Sequence, residues 1–449
     1  MSKVIDKIKN IKLVKTLTNI WRIEDLRSRI LITLLFVAIY RFGSYVVLPG
    51  IDTEALEGLK NQTEGGLMSL LDMFSGGAFS KASIFALGIM PYISASIVMQ
   101  LLGIAVPYFQ KMQREGESGR RKMSQYTRYL TVPILVFQGI FYLINLKNQT
   151  AGAALYSSLD WNMFILYATI ILAAGSMFVL WLGERITDKG IGNGVSIIIM
   201  IGIIARFPTA VIQEFSTRVG GQGGLVMFLI EIVLFLAVIA AAILLVQGVR
   251  QVPVNYAKKI AGARQIGGAR QYIPLKPYAA NVMPIIFAQA IMFIPVTLAQ
   301  FSGSKLNPVV SQLIDNNSFI YNLIFAVLII LFTYLYTAIT INPVQMAEDM
   351  KRNNGFIPGI KPGKETADYI DKVMSRITFP GSLFLAIIAI LPAFAGIFGI
   401  QREFAAFFGG TSLLILVGVV LDTLMQIESH LMMRHYDGLL DTGRVRGEH

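Results

Sequence analysis

Apolar runs of roughly 20 residues recur along this chain, separated by polar stretches rich in Lys, Arg, Gly and Pro. At about 1.5 Å per helical residue, such a run matches a hydrocarbon core of about 30 Å. The pattern predicts ten spanning helices, near residues 30–48, 84–104, 127–146, 162–182, 191–210, 225–247, 280–300, 319–341, 377–397 and 408–431. The stretch 69–102 departs from it. It begins SLLDMFSGGAFSKAS and continues IFALGIMPYISASIVMQLL. The second part is apolar enough to cross a bilayer. The first is too short and too polar, is broken by Gly76-Gly77 and carries Asp72 and Lys81. A broken half-helix persists at membrane depth only where protein buries it or it lines a watery cavity. The segment therefore predicts an enclosed aqueous path with a movable piece inside it.

Composition agrees. The 449 residues are 54% hydrophobic and 15% charged, with a mean hydropathy of +0.61, whereas soluble domains carry about 25% charged residues. The expected class is an all-α polytopic membrane protein. With no cysteine, disulfides, thiolate metal sites and cysteine nucleophiles are excluded. The histidines, His430, His435 and His449, all sit near the C-terminal end, which argues against a histidine metal cluster in the membrane. The run Gly190-Ile191-Gly192-Asn193-Gly194 lacks the Lys-Ser/Thr of a P-loop and reads as a flexible approach to the fifth span. No Ser/His/Asp set is present, so catalytic residues, a cofactor and a metal are not expected. Arg41, Glu231, Asp422 and Glu428 are ionisable groups within spans. They read as satisfied structural ions or snorkelling side chains; an ion-coupled transporter, the rival class, would need them as a relay.

Charge sets the orientation. Residues 1–29 carry eight Lys/Arg, and 106–126, 184–190, 248–279, 342–376 and 431–449 bring that face to thirty, against about seven on the other. By the positive-inside rule both termini are cytoplasmic. The first 29 residues lack the apolar core of a cleavable signal peptide. They fit either a basic amphipathic helix on anionic lipid or a solvated tail. The long basic loops 248–279 and 342–376 either serve only topology and attraction to anionic lipid or dock an acidic partner or RNA. The spans divide five and five around 208–224, and an odd number in each half inverts their polarity. The expected organisation is a basic segment 1–29, an N-terminal half 30–215, a C-terminal half 216–431 and a tail 432–449.

DMFSGGAFSKASIFALGIMPYISASIVMQLL (72–102), REGESGRRKMSQYTRY (114–129), MFVLWLGERITDKGIGNGVSIII (177–199), VNYAKK (254–259), GFIPGIKPGKETADYIDKVMSRIT (355–378) and FFGGTSLLIL (407–416) resemble the bacterial SecY family, the channel subunits of the general protein translocase. The resemblance runs from about residue 26 to residue 433. It implies two inverted five-helix halves around an hourglass pore in the bacterial inner membrane. Unfolded secretory polypeptides would cross there, and hydrophobic segments would leave sideways into lipid. Residues 67–81 would form a plug half-helix that includes Met73, Phe74, Ser75, Gly76, Gly77, Ala78 and Phe79. Ile89, Ile93, Val195, Ile199, Ile286 and Ile415 would form an aliphatic pore ring, in which Val195 is one methylene smaller than the isoleucine of well-known relatives. Gln100 matches a polar position of the family's lateral gate. Asn281, Gln289 and Thr297 would be further gate residues or plain interhelical hydrogen-bonding groups. Lys258, Lys259, Arg264, Arg352 and Lys361 would dock a ribosome, including its rRNA, or a SecA-type motor ATPase. Lys361 departs from the family's PGIRPG and loses arginine's fork. SecE-like and SecG-like small subunits and the translocating polypeptide complete the implied partners.

Overall fold

The computed structural model describes residues 23–52, 72, 75–149, 160–221, 224–256, 259–261, 264–266, 270–276, 283–289, 291–292 and 318–442. Twelve helices can be bounded among them: α1 (Glu24–Gly43), α2 (Met90–Ala105), α3 (Pro107–Arg114), α4 (Glu117–Gln149), α5 (Trp161–Lys189), α6 (Gly194–Val219), α7 (Gly224–Gln247), α8 (Phe319–Thr340), α9 (Pro343–Arg352), α10 (Lys364–Ile397), α11 (Arg402–Ala405) and α12 (Gly410–Thr442). Seven helical stretches among the described residues are long and apolar enough to cross a membrane, or eight if α2 and α3, bent by 100°, count as one. The expected first span is α1, whose Arg27, Arg29 and Arg41 dilute its apolar run. The expected seventh is represented by the helical residues 283–289 and 291–292, the rest of it lying outside the described residues. The architecture is thus consistent with ten spans.

Boundaries moved where local chemistry overrode hydropathy. The second span was expected from residue 84, yet 84–89 are turns and the helix starts at Met90. Gly88 takes φ +51°, a left-handed conformation that a helix cannot continue, and Pro91 suits a first turn. Between α8 and α9, Pro343 cannot extend the preceding helix, and Asn342 caps the new one. Its Oδ1 accepts the backbone N–H of Val344 (3.1 Å) and Gln345 (3.2 Å).

The chain forms two compact units: 1–208 with 419–449, and 209–418. In the first, α4 and α5 and the stretch 79–87 pack around Leu135, Leu143, Leu146, Phe164, Ala168 and Leu172, and α2 packs beside α4. Phe85 stacks between Tyr40 and Phe178 at 6.2 and 6.0 Å. In the second, the basic loops form a sheet that hydropathy did not predict. Strand β1 (Arg250–Tyr256) pairs antiparallel with β4 (Arg270–Leu275), Arg250 opposite Leu275, and with β5 (Gly355–Phe356), Asn255 opposite Phe356. Short strands β2 (Lys259–Ala261) and β3 (Arg264–Ile266) pair with each other. Val252 and Val254 alternate into a core with Leu275, Met350, Ile357, Ile370 and Met374. That core seats the sheet on α9 and α10.

Candidate functional site

The stretch ahead of α2 is a densely held non-helical segment of the first unit. Residues 75–89 run as successive turns, and Ser75–Ser80 are all buried. Buried backbone polar groups need partners, and several come from neighbouring helices. Arg41 of α1 donates to the Gly76 carbonyl (3.0 Å), Tyr40 of α1 to the Ser75 carbonyl (3.3 Å) and Tyr142 of α4 to the Phe79 carbonyl (2.8 Å). The rings of Phe79 and Tyr142 meet edge-on at 4.7 Å. Asp72, with its side chain 3% exposed, accepts the Ser80 N–H on Oδ1 (2.8 Å) and is ion-paired with Arg206 of α6. Ser75 closes the turn from within, donating to the Asp72 carbonyl (3.1 Å) and accepting the Phe79 N–H (3.0 Å).

Glycine is required at the centre. Gly76 takes φ +65°, and a Cβ there would lie 2.6 Å from Arg41 Nη1 and 2.9 Å from the Gly202 Cα. Backbone therefore meets backbone between this segment and α6. Gly77 takes φ +86° with nothing nearer than Arg206 Nε at 3.9 Å. Its glycine answers to conformation alone. At the rim, Val47 bridges Ser83 and the Lys81 ammonium lies 3.7 Å from the Tyr45 ring centroid.

Of the expected plug residues, Ser75, Gly76, Gly77, Ala78 and Phe79 lie in this seat; Met73 and Phe74 fall outside the described residues. Among the aliphatic residues, Ile89 (buried) stands just before α2 and Ile93 (half-buried) one turn into it. Val195 (half-buried) and Ile199 (buried) occupy the first two turns of α6. Those four belong to the first unit; Ile286 and Ile415 belong to the second. Gln100 donates to Ser96 Oγ within α2 (3.2 Å), and Gln289 is buried. Asn281, Thr297 and Lys258 lie outside the described residues. Lys259 is in β2, Arg264 in β3, and Arg352 is exposed at the end of α9. Lys361 is 85% exposed, 3.8 Å from Glu365.

Hydropathy reading missed Arg206, Glu214 and the tyrosine anchors. A lone Arg inside the apolar run IIARFP was the available signal for Arg206. Arg218 is buried near the end of α6. It pairs with Glu214 (2.8 Å) and Glu231 (2.6 Å) and donates to the Gly399 carbonyl (2.9 Å). Glu231 is thus ion-paired with Arg218. The glycine run 190–194 is likewise not a free loop: Ile191, Gly192 and Gly194 donate their N–H groups to Thr33 Oγ1 (3.1 Å), Gln426 Oε1 (2.9 Å) and Thr187 Oγ1 (2.9 Å). Among the described residues no group of His, Asp and Glu is placed to hold a metal ion.

The chain is a helical membrane protein whose irregular, backbone-anchored segment precedes α2, and the fold has solved counterparts among membrane channels. It is similar to the structure described as that of a protein-conducting channel (TM-score 0.60, 16% identity, 94% of this chain and 95% of that one). It is also similar to Sec61 in the canine ribosome–channel complex from the endoplasmic reticulum (TM-score 0.58, 15% identity, 94% and 95% covered). The family model for SecY matches residues 83–424. The protein translocase subunit SecY of Halalkalibacterium halodurans is 42% identical over 435 residues, covering 95% of this chain and 99% of that protein. The chain belongs to the SecY family.

Proposed function

We propose that the chain is the channel subunit of a protein translocase in a bacterial inner membrane, a conduit for unfolded secretory polypeptides and not an enzyme. The observation that carries this reading is the seat of residues 75–80 at the start of the second span, in a chain of the SecY family. A polypeptide crossing lipid directly would expose unsatisfied backbone at several kcal/mol per group, and central charges at about 3 kcal/mol each. An aqueous funnel removes that cost but leaks ions. One apolar constriction dewets when empty and closes around an extended chain when occupied. Ile89, Ile93, Val195, Ile199, Ile286 and Ile415 suit it because aliphatic side chains make no strong hydrogen bonds and favour no substrate sequence.

Segment 67–81 then acts as the plug, closing the path from the external side, with both termini cytoplasmic. The two halves are inverted repeats flanking the pore. Gln100 and Gln289, with Asn281 and Thr297, line a lateral gate through which apolar segments leave into lipid. Sec61, a protein of the same fold, is described in a ribosome–channel complex. The basic loops, with Lys258, Lys259, Arg264, Arg352 and Lys361, are assigned the same kind of task, docking a ribosome or a SecA-type motor. SecE-like and SecG-like subunits and anionic lipid complete the assembly.

The test exploits the absence of cysteine. Ile93→Cys, Ile199→Cys and Ile286→Cys are each paired with a stalled secretory chain carrying one cysteine. Disulfides that form at matching stall lengths support the pore. Silence at all three positions at every length removes it.

A further inference from the structure

We infer that Gln426 and Thr33 are positioning residues that fix where Val195 and Ile199 stand. This inference rests on the pore reading above.

A helix start leaves backbone N–H groups without intrahelical partners. At α6 those groups and the ones just upstream are taken by side chains of three other helices. Thr33 of α1 accepts from Ile191 (3.1 Å), Gln426 of α12 from Gly192 (2.9 Å) and Thr187 of α5 from Gly194 (2.9 Å). Asn193 caps from within, accepting the Ser196 N–H (3.3 Å). Thr33 also donates to the Arg29 carbonyl (2.9 Å), so its hydroxyl is used in both directions.

The approach is close as well as bonded. Gly192 takes φ +79°, and a Cβ there would come within 2.9 Å of Ile197 Cδ1 and 3.0 Å of Thr423 Oγ1. Thr423 and Gln426 are three apart and share one face of α12. That face both crowds and hydrogen-bonds the glycine. Val195 comes three residues later, packed on Gly183, where an added Cβ would lie 3.4 Å from Val195 Cγ2. Ile199 is one turn further. With α6 begun by contacts to three helices, its first two turns cannot slide or rotate independently, and those turns carry the two aliphatic side chains.

The chemistry at position 426 is acceptance of one N–H. Gln426→Glu keeps the acceptor; Gln426→Leu keeps the bulk and loses it. At position 33 the matching pair is Thr33→Ser and Thr33→Val. The experiment places each substitution beside Ile199→Cys in the membrane-embedded complex. It reads disulfide yield to a stalled chain with a single cysteine, together with amide exchange over 190–196. Gln426→Leu and Thr33→Val are expected to speed exchange there roughly five- to tenfold and to spread the disulfide over several stall lengths. Gln426→Glu and Thr33→Ser are expected to keep the parent profile. Equal profiles in Gln426→Leu and parent, or equal damage from Gln426→Glu and Gln426→Leu, overturn the positioning role while leaving the pore standing. No disulfide in any background overturns the pore, and the role of Gln426 and Thr33 with it.

Discussion

Arg206, within the apolar run of α6, is ion-paired with Asp72, the residue that also accepts the Ser80 N–H and so closes the turn of the segment before α2. Asp72 is buried, and Arg206 keeps 22% of its side chain exposed. Removing one partner leaves the other charge uncompensated, at about 3 kcal/mol. Asp72→Asn and Arg206→Gln are each expected to raise resting ion conductance of the reconstituted channel, and the exchange Asp72→Arg with Arg206→Asp to recover part of the seal. Conductance unchanged in both single variants would show that the pair does not hold the segment down.

The neighbouring glycines should respond unequally. Gly76→Ala forces a Cβ against Arg41 and the Gly202 backbone at φ +65°, so it displaces the segment and costs about 2–3 kcal/mol. Gly77→Ala meets only an ordinary contact with Arg206 Nε, 3.9 Å away, at φ +86° and costs about 1 kcal/mol of backbone strain. Amide exchange over 75–83 measures the difference, with the larger acceleration expected for Gly76→Ala.

Much of this fold was legible because a bilayer leaves few options for an apolar run of that length. The runs at 225–247 and 319–341 correspond to α7 and α8 within a residue. What escaped was set by contacts distant in sequence. Pairing to β4 and to β5 makes RQVPVNY a strand. Its Val252 and Val254 alternation was visible, but it lay inside a stretch whose charge dominated the reading. Arg218 sits at the end of an apolar run, where hydropathy gives no sign that Glu214, four residues earlier on α6, and Glu231 of α7 pair with it. The glycine run at 190–194 looked flexible because Thr33 and Gln426 lie 158 and 234 residues away from the amides they bind.

Lys361 stands where the resemblance to the family leads one to expect arginine. It is 85% exposed and reaches Glu365 only at 3.8 Å, and such a pair adds little to stability. Lys361→Ala should move the melting temperature by about 1 °C or less while weakening association with a ribosome or motor. Lys361→Arg should strengthen that association through a bidentate contact. Co-sedimentation at two salt concentrations reads both; equal binding by all three proteins would place the docking contact elsewhere.

The cluster around Arg218 separates a conduit from an ion-coupled transporter. Glu214 is fully buried, accepting from Arg218 Nε (2.8 Å) and from the Gln401 N–H (2.9 Å), and Glu231 is 4% exposed against Arg218 Nη2. Arg218→Met would strand two carboxylates, a loss of about 3–5 kcal/mol, and should lower the melting temperature in detergent and the yield of folded protein. Glu231→Gln keeps an acceptor for Arg218, removes one buried charge and should fold. In a conduit no proton or cation needs to load at Glu231, so folded Glu231→Gln should translocate secretory chains at the parental rate. A transporter would stop at that substitution. Translocation abolished in Glu231→Gln at parental melting temperature would therefore count against the channel and for a coupled carrier.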